Sequence, residues 1–377
     1  MLPLQRKRVG AEKVEVGGTA SYEEVQDHVG VNPEMPIDPK RIGGTLTNDL
    51  VHGWPWLGRG WLVELGMMGA GARALIVAEY RVTGLSPDVI AELIAEVGPL
   101  WHEQHQGRLA ARPRRRAVGA GAKHKFVFVD RLLATLVSLR HGTTHDVLAF
   151  WFGVDRSTIT RAIGEVRPLL AQRGCTVAPG IRLGSLAEVI EHLGSDGRTG
   201  IIDGTEIRVR RPAAGRKDRD RFVSGKTKQN AVKALVLTDT EGRVLFCSPV
   251  RPGSCADITQ ARQLGLVELL VDSPFLEILA DAGYQGMGAQ TGGRVVTPPH
   301  RKFKKNAPAW YEERHEQQRK AHSSRRIRVE HGIAHLKNWR VLARHLGRRE
   351  HMSDIVQAVA ALLSHQQTAT LGHGLRA

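Results

Sequence analysis

Apolar positions along the chain mark an irregular start followed by a helical region. Residues 1–72 are rich in Pro and Gly, have no sustained period, and predict loops and partial disorder. In SPDVIAELIAEV, apolar residues then recur at helical spacing, behind Ser86 as N-cap and Pro87 at the first helical position. This pattern predicts a helix here, within an all-helical unit that covers residues 73–175.

Residues 143–166 have the spacing of a helix-turn-helix. Such a unit needs a small residue in its first helix, a Gly in the turn and an apolar residue in the second helix, and Ala149, Gly153 and Ile159 meet this need. The second helix would then present four side chains to a major groove: Arg156, Ser157, Thr160 and Arg161. An ordinary helical hairpin is the alternative, and the basic charge of the chain favours DNA binding.

From about residue 198 the pattern changes to short strands, and helices return near the end. Apolar and charged residues alternate in TGIIDGTEIRVRRP, which indicates a strand. Two antiparallel strands joined at Asp239–Gly242 are predicted in KQNAVKALVLTDTEGRVLFCSPVRPGS. A strand that ends in a turn is predicted in FLEILADAGYQG. The segments SSRRIRVEHGIAHLKNWRVLARHL and SDIVQAVAALLSHQQ then predict two helices.

Composition narrows the class of partner. The chain has 377 residues, with 54 Lys and Arg against 38 Asp and Glu, a formal net charge of +16 that attracts polyanions such as nucleic acid. Its three cysteines form no CxxC pair, which predicts reduced thiols in a cytosolic protein. The sequence contains no apolar run of about 18 residues, so it predicts no membrane span. It also lacks the GxxxxGK[ST] spacing of a phosphate-binding loop, so it predicts no ATP site.

Three acids occupy unusual places for a basic protein. Asp203 follows two isoleucines in a predicted strand, Asp281 ends another strand, and Glu330 lies inside a basic helix. Carboxylates beside apolar runs are costly to bury unless a partner compensates them. A hard cation such as Mg²⁺ prefers oxygen ligands, and two such ions can activate and stabilise the oxygens of a phosphoryl transfer. The glycines that follow each aspartate would let a phosphate backbone come close.

The basic helix adds a geometric argument. Arg326, Glu330 and Lys337 lie at i, i+4 and i+11, which brings them near one face of a helix. A metal-binding carboxylate would then stand between two cations able to hold a DNA phosphate. The alternative for this helix alone is a set of ion pairs on a solvated face.

Together, IIDGTE, LADAGYQG and RRIRVEHGIAHLKNWRVL resemble the DDE transposases of bacterial insertion sequences, specifically the IS-five group and its Harbinger-like relatives. The pattern Y-x2-R-x3-E-x6-K of related elements is matched at Arg326, Glu330 and Lys337, whereas its tyrosine position holds Ser323. RPGSCADITQAR also resembles the family. Its Asp257 is either a supporting residue or a helix cap, and the position favours the cap.

This resemblance implies an RNase H-like catalytic domain, a mixed sheet flanked by helices, over residues 196–346. An all-α helix-turn-helix domain precedes it, and a C-terminal helix and tail cover residues 347–377. The resemblance also implies that Asp203, Asp281 and Glu330 act as catalytic and metal-binding residues. The implied cofactor is Mg²⁺, with Mn²⁺ as a substitute. The implied partners are double-stranded DNA, at the element's terminal repeats and at the target, and a second copy of the chain, in a bacterial cytoplasm near the nucleoid.

Other classes of function fit less well. A recombinase with a Tyr or Ser nucleophile would need an activating arginine cluster, and Tyr284 lies beside a predicted metal ligand. His331 and His335 lie at i, i+4, but the HExxH glutamate and a third zinc ligand are not evident. The main alternative is a helix-turn-helix DNA-binding protein derived from a transposase that no longer cuts.

Overall fold

The structure is a computed structural model that describes residues 70–111, 126–195, 197–215, 217–273, 275–300 and 308–374. The predicted irregular extension lies outside these residues except for its last three, where the first helix begins. The basic runs at 112–116 and 301–305, which are further candidates for DNA contacts, also lie outside them.

The first part of the fold is helical, as its 3.6-residue apolar period predicts. Its helices are α1 Ala70–Ala78, α2 Tyr80–Thr83, α3 Pro87–Ala110, α4 Phe128–His141, α5 His145–Phe152 and α6 Arg156–Gln172. The Ser86 hydroxyl accepts a hydrogen bond from the Val89 amide, which confirms the predicted N-cap of α3. α4 is buried almost along its whole length and packs against α6.

The helix-turn-helix is confirmed as α5, a turn and α6. Gly153 ends α5 with φ 61°, the left-handed conformation that Gly adopts without a steric penalty. Ala149 packs against the helical core, and Ile159 on α6 is fully buried in it. The spacing of small, Gly and apolar residues therefore produces the contact between the two helices that it predicts.

The remaining chain forms a mixed sheet with helices on both faces. β1 Cys175–Ala178 and β2 Ile181–Leu183 pair with each other in a separate small sheet. The strands of the mixed sheet are β3 Thr199–Val209, β4 Ala231–Thr238, β5 Val244–Cys247, β6 Arg251–Pro252, β7 Glu277–Leu279, β8 Val295–Val296 and β9 Arg344–His345. Its helices are α7 Leu186–Ser195, α8 Asp257–Gln263, α9 Leu266–Val271, α10 Met287–Gln290, α11 Ala309–Lys337, α12 Arg340–Ala343 and α13 Met352–Gly374.

The order of the main sheet is β5-β4-β3-β7-β8, and it places β3 at the centre. β3 pairs with β4 in antiparallel orientation and with β7 in parallel orientation. The parallel pairing stops at Ile201 opposite Leu279, so β3 continues beyond the end of β7. The predicted fold class, a mixed sheet flanked by helices behind an all-α helix-turn-helix region, is confirmed.

Side chains alternate between the two faces of the sheet and build two cores. Ile202 and Leu235 face one core, which α7, α8 and α9 cover. Val232 and Ala234 face the other, which is continuous with the helical part and with α13. None of the described helices combines the length and hydropathy that a membrane span requires.

Two left-handed glycines provide a matched test of this packing. Gly174, between α6 and β1, has φ 70°, and an added Cβ would lie 2.3 Å from the Leu183 carbonyl oxygen. Gly153 has nearly the same φ, with no atom within 4 Å of an added Cβ. We expect Gly153→Ala to lower the free energy of unfolding by about 1–2 kcal/mol, through backbone strain alone. Gly174→Ala should lower it by roughly 2–5 kcal/mol, because a steric clash adds to the strain.

Urea denaturation of both variants measures the difference. Equal losses for the two glycines would contradict the close approach of Gly174 to the β2 backbone.

Candidate functional site

Asp203 lies on the central strand β3, with its side chain on the face that α11 covers. Ile201, two residues earlier on the same face, packs with Leu279 and Val329 in a small apolar cluster. One carboxylate oxygen of Asp203 accepts a hydrogen bond from the Gly204 amide at 2.7 Å. The other lies 3.2 Å from Nη2 of Arg326 on α11. The apolar strand therefore delivers a carboxylate to a mostly buried position beside one cation.

Burial is the main influence on the acidity of Asp203. It raises the pKa of this carboxyl from its ordinary value of 3.8 to about 6, against the opposing effect of Arg326 and of the Gly204 amide. The negative charges of Asp281 and Asp257 raise this pKa further. Asp203 thus carries an unfavourable negative charge at neutral pH, which a bound cation would offset.

Asp281 reaches the same region from the end of β7. One residue separates it from the strand, and its Oδ1 accepts a hydrogen bond from the Gly283 amide at 2.8 Å, so that Asp281 caps a 3₁₀ turn, Ala282–Tyr284. Gly283, the first glycine of LADAGYQG, donates this hydrogen bond within the turn. The turn holds the Asp281 carboxylate at the sheet edge near Asp203. The sequence prediction that Asp203 and Asp281 come together therefore agrees with the geometry.

Tyr284 lies beneath these carboxylates. Its side chain is fully buried, and its hydroxyl has no hydrogen-bond partner within the part of the chain that the structure describes. Burial raises the pKa of Tyr284 well above its ordinary range, and Asp257, Asp203 and Asp281 raise it further. A buried, neutral phenol is poorly suited to act as a nucleophile.

Glu330 is not gathered with the two aspartates. It is exposed on α11, about 6 Å along the helix axis from Arg326, which is one turn earlier. Across the described residues, no group of three Asp, Glu, His or Cys side chains converges so that it could hold a metal ion. Glu330 is therefore apart from Asp203 and Asp281 in this structure.

Arg326 and Lys337 differ in their placement. The sequence predicts that both lie near one face of the helix, where the two cations could hold a DNA phosphate. Arg326 is only 9% exposed and lies against Asp203, because it is on the side of α11 that packs on the sheet. Lys337 is exposed at the end of α11, beside a cavity. Of the two, only Lys337 is oriented as an open cation in this structure.

The structure gives Asp257 a different role from the helix cap that its position in the sequence favours. The interpretation as a helix cap is wrong, because Ala256 occupies the N-cap position of α8 and Asp257 is the first helical residue. Its carboxylate lies 3.2 Å from Nζ of Lys233, which is also 3.8 Å from Glu206. The pairing of β3 with β4 brings Glu206 and Lys233 opposite one another.

Gly204 leaves room for Asp257 to pack against β3. A Cβ at position 204 would lie 2.7 Å from Asp257 Oδ1, so only a glycine leaves room for this carboxylate. The glycine after Asp203 therefore admits the side chain of Asp257. The signal for this contact is present in RPGSCADITQAR, but the motif does not show that its Asp reaches the sheet.

The four side chains predicted to face a major groove all lie on the outer surface of α6. Arg156 and Ser157 are exposed at its N-terminal end, and Arg156 lies 3.6 Å from Asp146 on α5. The Thr160 hydroxyl donates to the Arg156 carbonyl oxygen and lies 2.8 Å from His145 Nδ1. Arg161 is exposed one residue later. These four side chains are therefore accessible to DNA.

The donor set at the carboxylate site suits a hard divalent cation. Asp203 and Asp281 supply only oxygen atoms, which Mg²⁺, Mn²⁺ and Ca²⁺ prefer over nitrogen and sulfur ligands. The buried charge of Asp203 is offset by a single guanidinium, and Nε and Nη2 of that group have no hydrogen bond of good geometry to the described residues. The chemistry of these two carboxylates therefore fits a divalent cation.

Two family models match the chain. Residues 202–364 match the model described as DDE superfamily endonuclease, and residues 124–176 match the helix-turn-helix of DDE superfamily endonuclease. The first range contains Asp203, Asp281 and Glu330, and the second contains α5 and α6. No curated protein matches the chain closely enough to be compared with it. The two matches support a DDE superfamily transposase.

The raised pKa of Asp203 has a consequence for stability. Folded Asp203 keeps its proton up to a pH of about 6, whereas the unfolded chain loses it near 3.8. The folded state therefore binds more protons in this window, and the stability that the proton provides is complete below it and lost as the pH rises through it. We expect the unfolding free energy of the wild type, measured in EDTA, to fall by up to ~3 kcal/mol as the pH rises from about 4 to about 7. Asp203→Asn should lack this loss, because its side chain does not titrate.

Urea denaturation across this pH range measures the difference, and Asp272→Asn, at an exposed position, is the matched control. A pH dependence that is the same in wild type and Asp203→Asn would show that Asp203 titrates normally in the folded protein.

Proposed function

We propose that this chain is the transposase of a bacterial insertion sequence, of the IS-five group with its Harbinger-like relatives. It cleaves phosphodiester bonds at the ends of its element and joins the freed 3′-hydroxyl groups to target DNA. Asp203, Asp281 and Glu330 hold the divalent cations, with Mg²⁺ as the working ion and Mn²⁺ as a substitute. The match of Arg326, Glu330 and Lys337 to the Y-x2-R-x3-E-x6-K pattern supports the subgroup.

The observation that carries this proposal is the convergence of Asp203 and Asp281 where β7 ends. β7 stops at Leu279, whereas β3 continues to Val209, so this edge of β3 is free of β7 beside both carboxylates. On this side of β3, β9 pairs only at Arg208 and Val209, so the described strands leave the stretch beside Asp203 uncovered for a DNA strand to approach. Asp203 and Asp281 come from different strands, and each is fixed by a hydrogen bond from a backbone amide.

The chain's own residues prepare this site for phosphoryl transfer. Asp203 and Asp281 supply ligands on a rigid sheet edge, and Glu330 supplies one from α11. When bound by these residues, a divalent cation would supply activation of an attacking oxygen and stabilisation of the leaving oxygen. Arg326 offsets the charge of Asp203, and its loose ion pair can yield to a stronger cation. The buried Tyr284 hydroxyl can donate a hydrogen bond to one of the carboxylates.

DNA binding completes the proposed activity. α6 would place Arg156, Ser157, Thr160 and Arg161 in the major groove at the terminal repeats, and the net charge of +16 would draw the polyanion toward the protein. The partners are double-stranded DNA at the element's ends and at the target. A homo-oligomer would bring two ends together, in the bacterial cytoplasm at the nucleoid.

A second function keeps the DNA binding but lacks the cutting. The position of Glu330, exposed on α11 and apart from Asp203 and Asp281, favours this alternative. In that case the chain is a catalytically silent helix-turn-helix DNA-binding protein derived from a transposase. Both functions predict salt-dependent DNA binding, so only cleavage distinguishes them.

Cleavage of end-labelled DNA that flanks the protein's own gene tests the proposal. With Mg²⁺, we expect cuts at defined inverted repeats, which EDTA abolishes. Asp281→Asn should reduce cleavage at least about 100-fold, the loss typical for one preorganised charged group of an active site. It should leave DNA binding intact, because Asp281 lies outside α6.

The control variant Asp272→Asn, also an aspartate-to-amide change, should cut as the wild type does. Binding without cleavage in Mg²⁺ and in Mn²⁺ would establish the silent DNA-binding protein. Undiminished cleavage by Asp281→Asn would remove Asp281 from the site.

A further inference from the structure

A basic cavity lies between the helical part and the end of α11, away from the carboxylates. Its volume is about 410 Å³. Four cationic side chains from four different helices line it: Arg81 of α2, Arg140 of α4, Lys337 of α11 and Arg340 of α12. Residues far apart in the sequence thus contribute the same charge to one cavity.

The fold builds this cavity by close packing around Trp339, which is 1% exposed. The Arg140 guanidinium lies over the Trp339 ring, 5.7 Å from its centroid. Gly84, which ends α2 with φ 76°, approaches both side chains so closely that a Cβ would lie 3.1 Å from Arg140 Cδ and 3.3 Å from Trp339 Cζ2. His141, also in the lining, is 2.9 Å from the Val82 carbonyl oxygen through its Nε2. The wall of the cavity is therefore fixed by the core.

The cations of this cavity lack carboxylate partners. Within the described ranges of the chain, Arg81, Arg140, Lys337 and Arg340 form no ion pair with an Asp or Glu, and no acid lines the cavity. Other arginines of the protein do have such partners, as Arg173 and Arg182 have in Glu96. Positive charges held close together without anions repel one another, and a bound anion relieves the repulsion.

The position of the cavity identifies the anion. Lys337 follows Glu330 by seven residues on the same helix, about 10 Å along its axis. Arg140 lies near the end of α4, and α5 of the helix-turn-helix begins only a few residues later. The cavity thus lies beside α11 on one side and leads into the helix-turn-helix on the other.

We propose that this cavity binds a backbone phosphate of the DNA substrate, between the stretch held by the helix-turn-helix and the bond that is cut. The proposal rests on the proposed function, since DNA is its ligand. Phosphate contacts set the register of a protein on a duplex without reading its sequence. The cavity would therefore fix the distance from the recognised stretch to the cleavage site. Arg81, Lys337 and Arg340 are exposed and contact the phosphate directly, while Arg140 forms the rear wall.

A double variant, Arg81→Gln with Arg340→Gln, tests the cavity without disturbing the packed Arg140. Its matched control, Lys320→Gln with Arg262→Gln, also removes two exposed cations, from the distant half of α11 and from α8. Fluorescence anisotropy with a duplex of about 30 base pairs, in EDTA and at salt concentrations from about 50 to 200 mM, gives the affinity and its salt dependence. Thermal melting of each variant confirms that it is folded.

We expect the double variant to bind about tenfold more weakly and its slope of log affinity against log salt to become shallower by about one, since one phosphate contact contributes about 0.9. The control should lose much less. An unchanged slope in the double variant, or an equal loss in the control, would overturn the proposal. Because this assay contains no metal and no cutting, its outcome is independent of whether the protein cleaves DNA.

A footprint on the element's end then locates the contact. Ethylation of single phosphates should interfere with wild-type binding at a position between the helix-turn-helix contacts and the cut. The double variant should lose the interference at that position alone. Interference that persists in the double variant would place the phosphate elsewhere on the protein.

Discussion

The packing of α11 against the central sheet is the constraint on which the functional geometry depends. Val329 is fully buried against Ile201 and Leu279. One turn later, Gly332 lies so close to the sheet that a Cβ would be 2.9 Å from Thr238 Cγ2 and 3.0 Å from the Gly242 carbonyl oxygen. These contacts fix both the height and the rotation of a helix whose outer face is almost entirely polar. A larger residue at position 332 would lift the helix from the strands.

The rotation set by Val329 and Gly332 determines what each charged residue of α11 can reach. Arg326 faces inward and meets Asp203, and Glu330 lies one turn farther at the exposed margin. Lys337 ends the helix beside the basic cavity. One helix therefore connects the carboxylates to the helical part of the protein, and a small movement along it changes the distance between Glu330 and the two aspartates. Such a movement is the step that would complete a cation site.

Local sequence patterns predicted the secondary-structure elements well. The spacing of Ala149, Gly153 and Ile159 was sufficient for the helix-turn-helix, because this motif depends on contacts between neighbours in the sequence. Asp203 and Asp281 stood out because a carboxylate next to an apolar strand needs compensation. The order of strands and helices was enough for the fold class.

Long-range contacts were beyond the same reasoning. Helical spacing places Arg326, Glu330 and Lys337 near one face, but it does not show which side of the helix packs on the sheet. That side depends on Thr238 and Gly242, which come from a distant hairpin. Asp257 was interpreted as a cap from its position in RPGSCADITQAR, because only the folded sheet shows that this side chain packs over Gly204. The cations of the basic cavity likewise come from segments that are far apart in the sequence.

Binding of Mn²⁺ to the isolated protein tests the central claim, that acids from β3, from the end of β7 and from α11 form one cation site. Electron paramagnetic resonance of free Mn²⁺ measures this binding without DNA or cleavage. We expect wild-type protein to deplete the free signal, Asp203→Asn to abolish the depletion, and Glu330→Gln to weaken it. Equal depletion by all three proteins would contradict the account, because the bound ions would then lie away from Asp203 and Glu330.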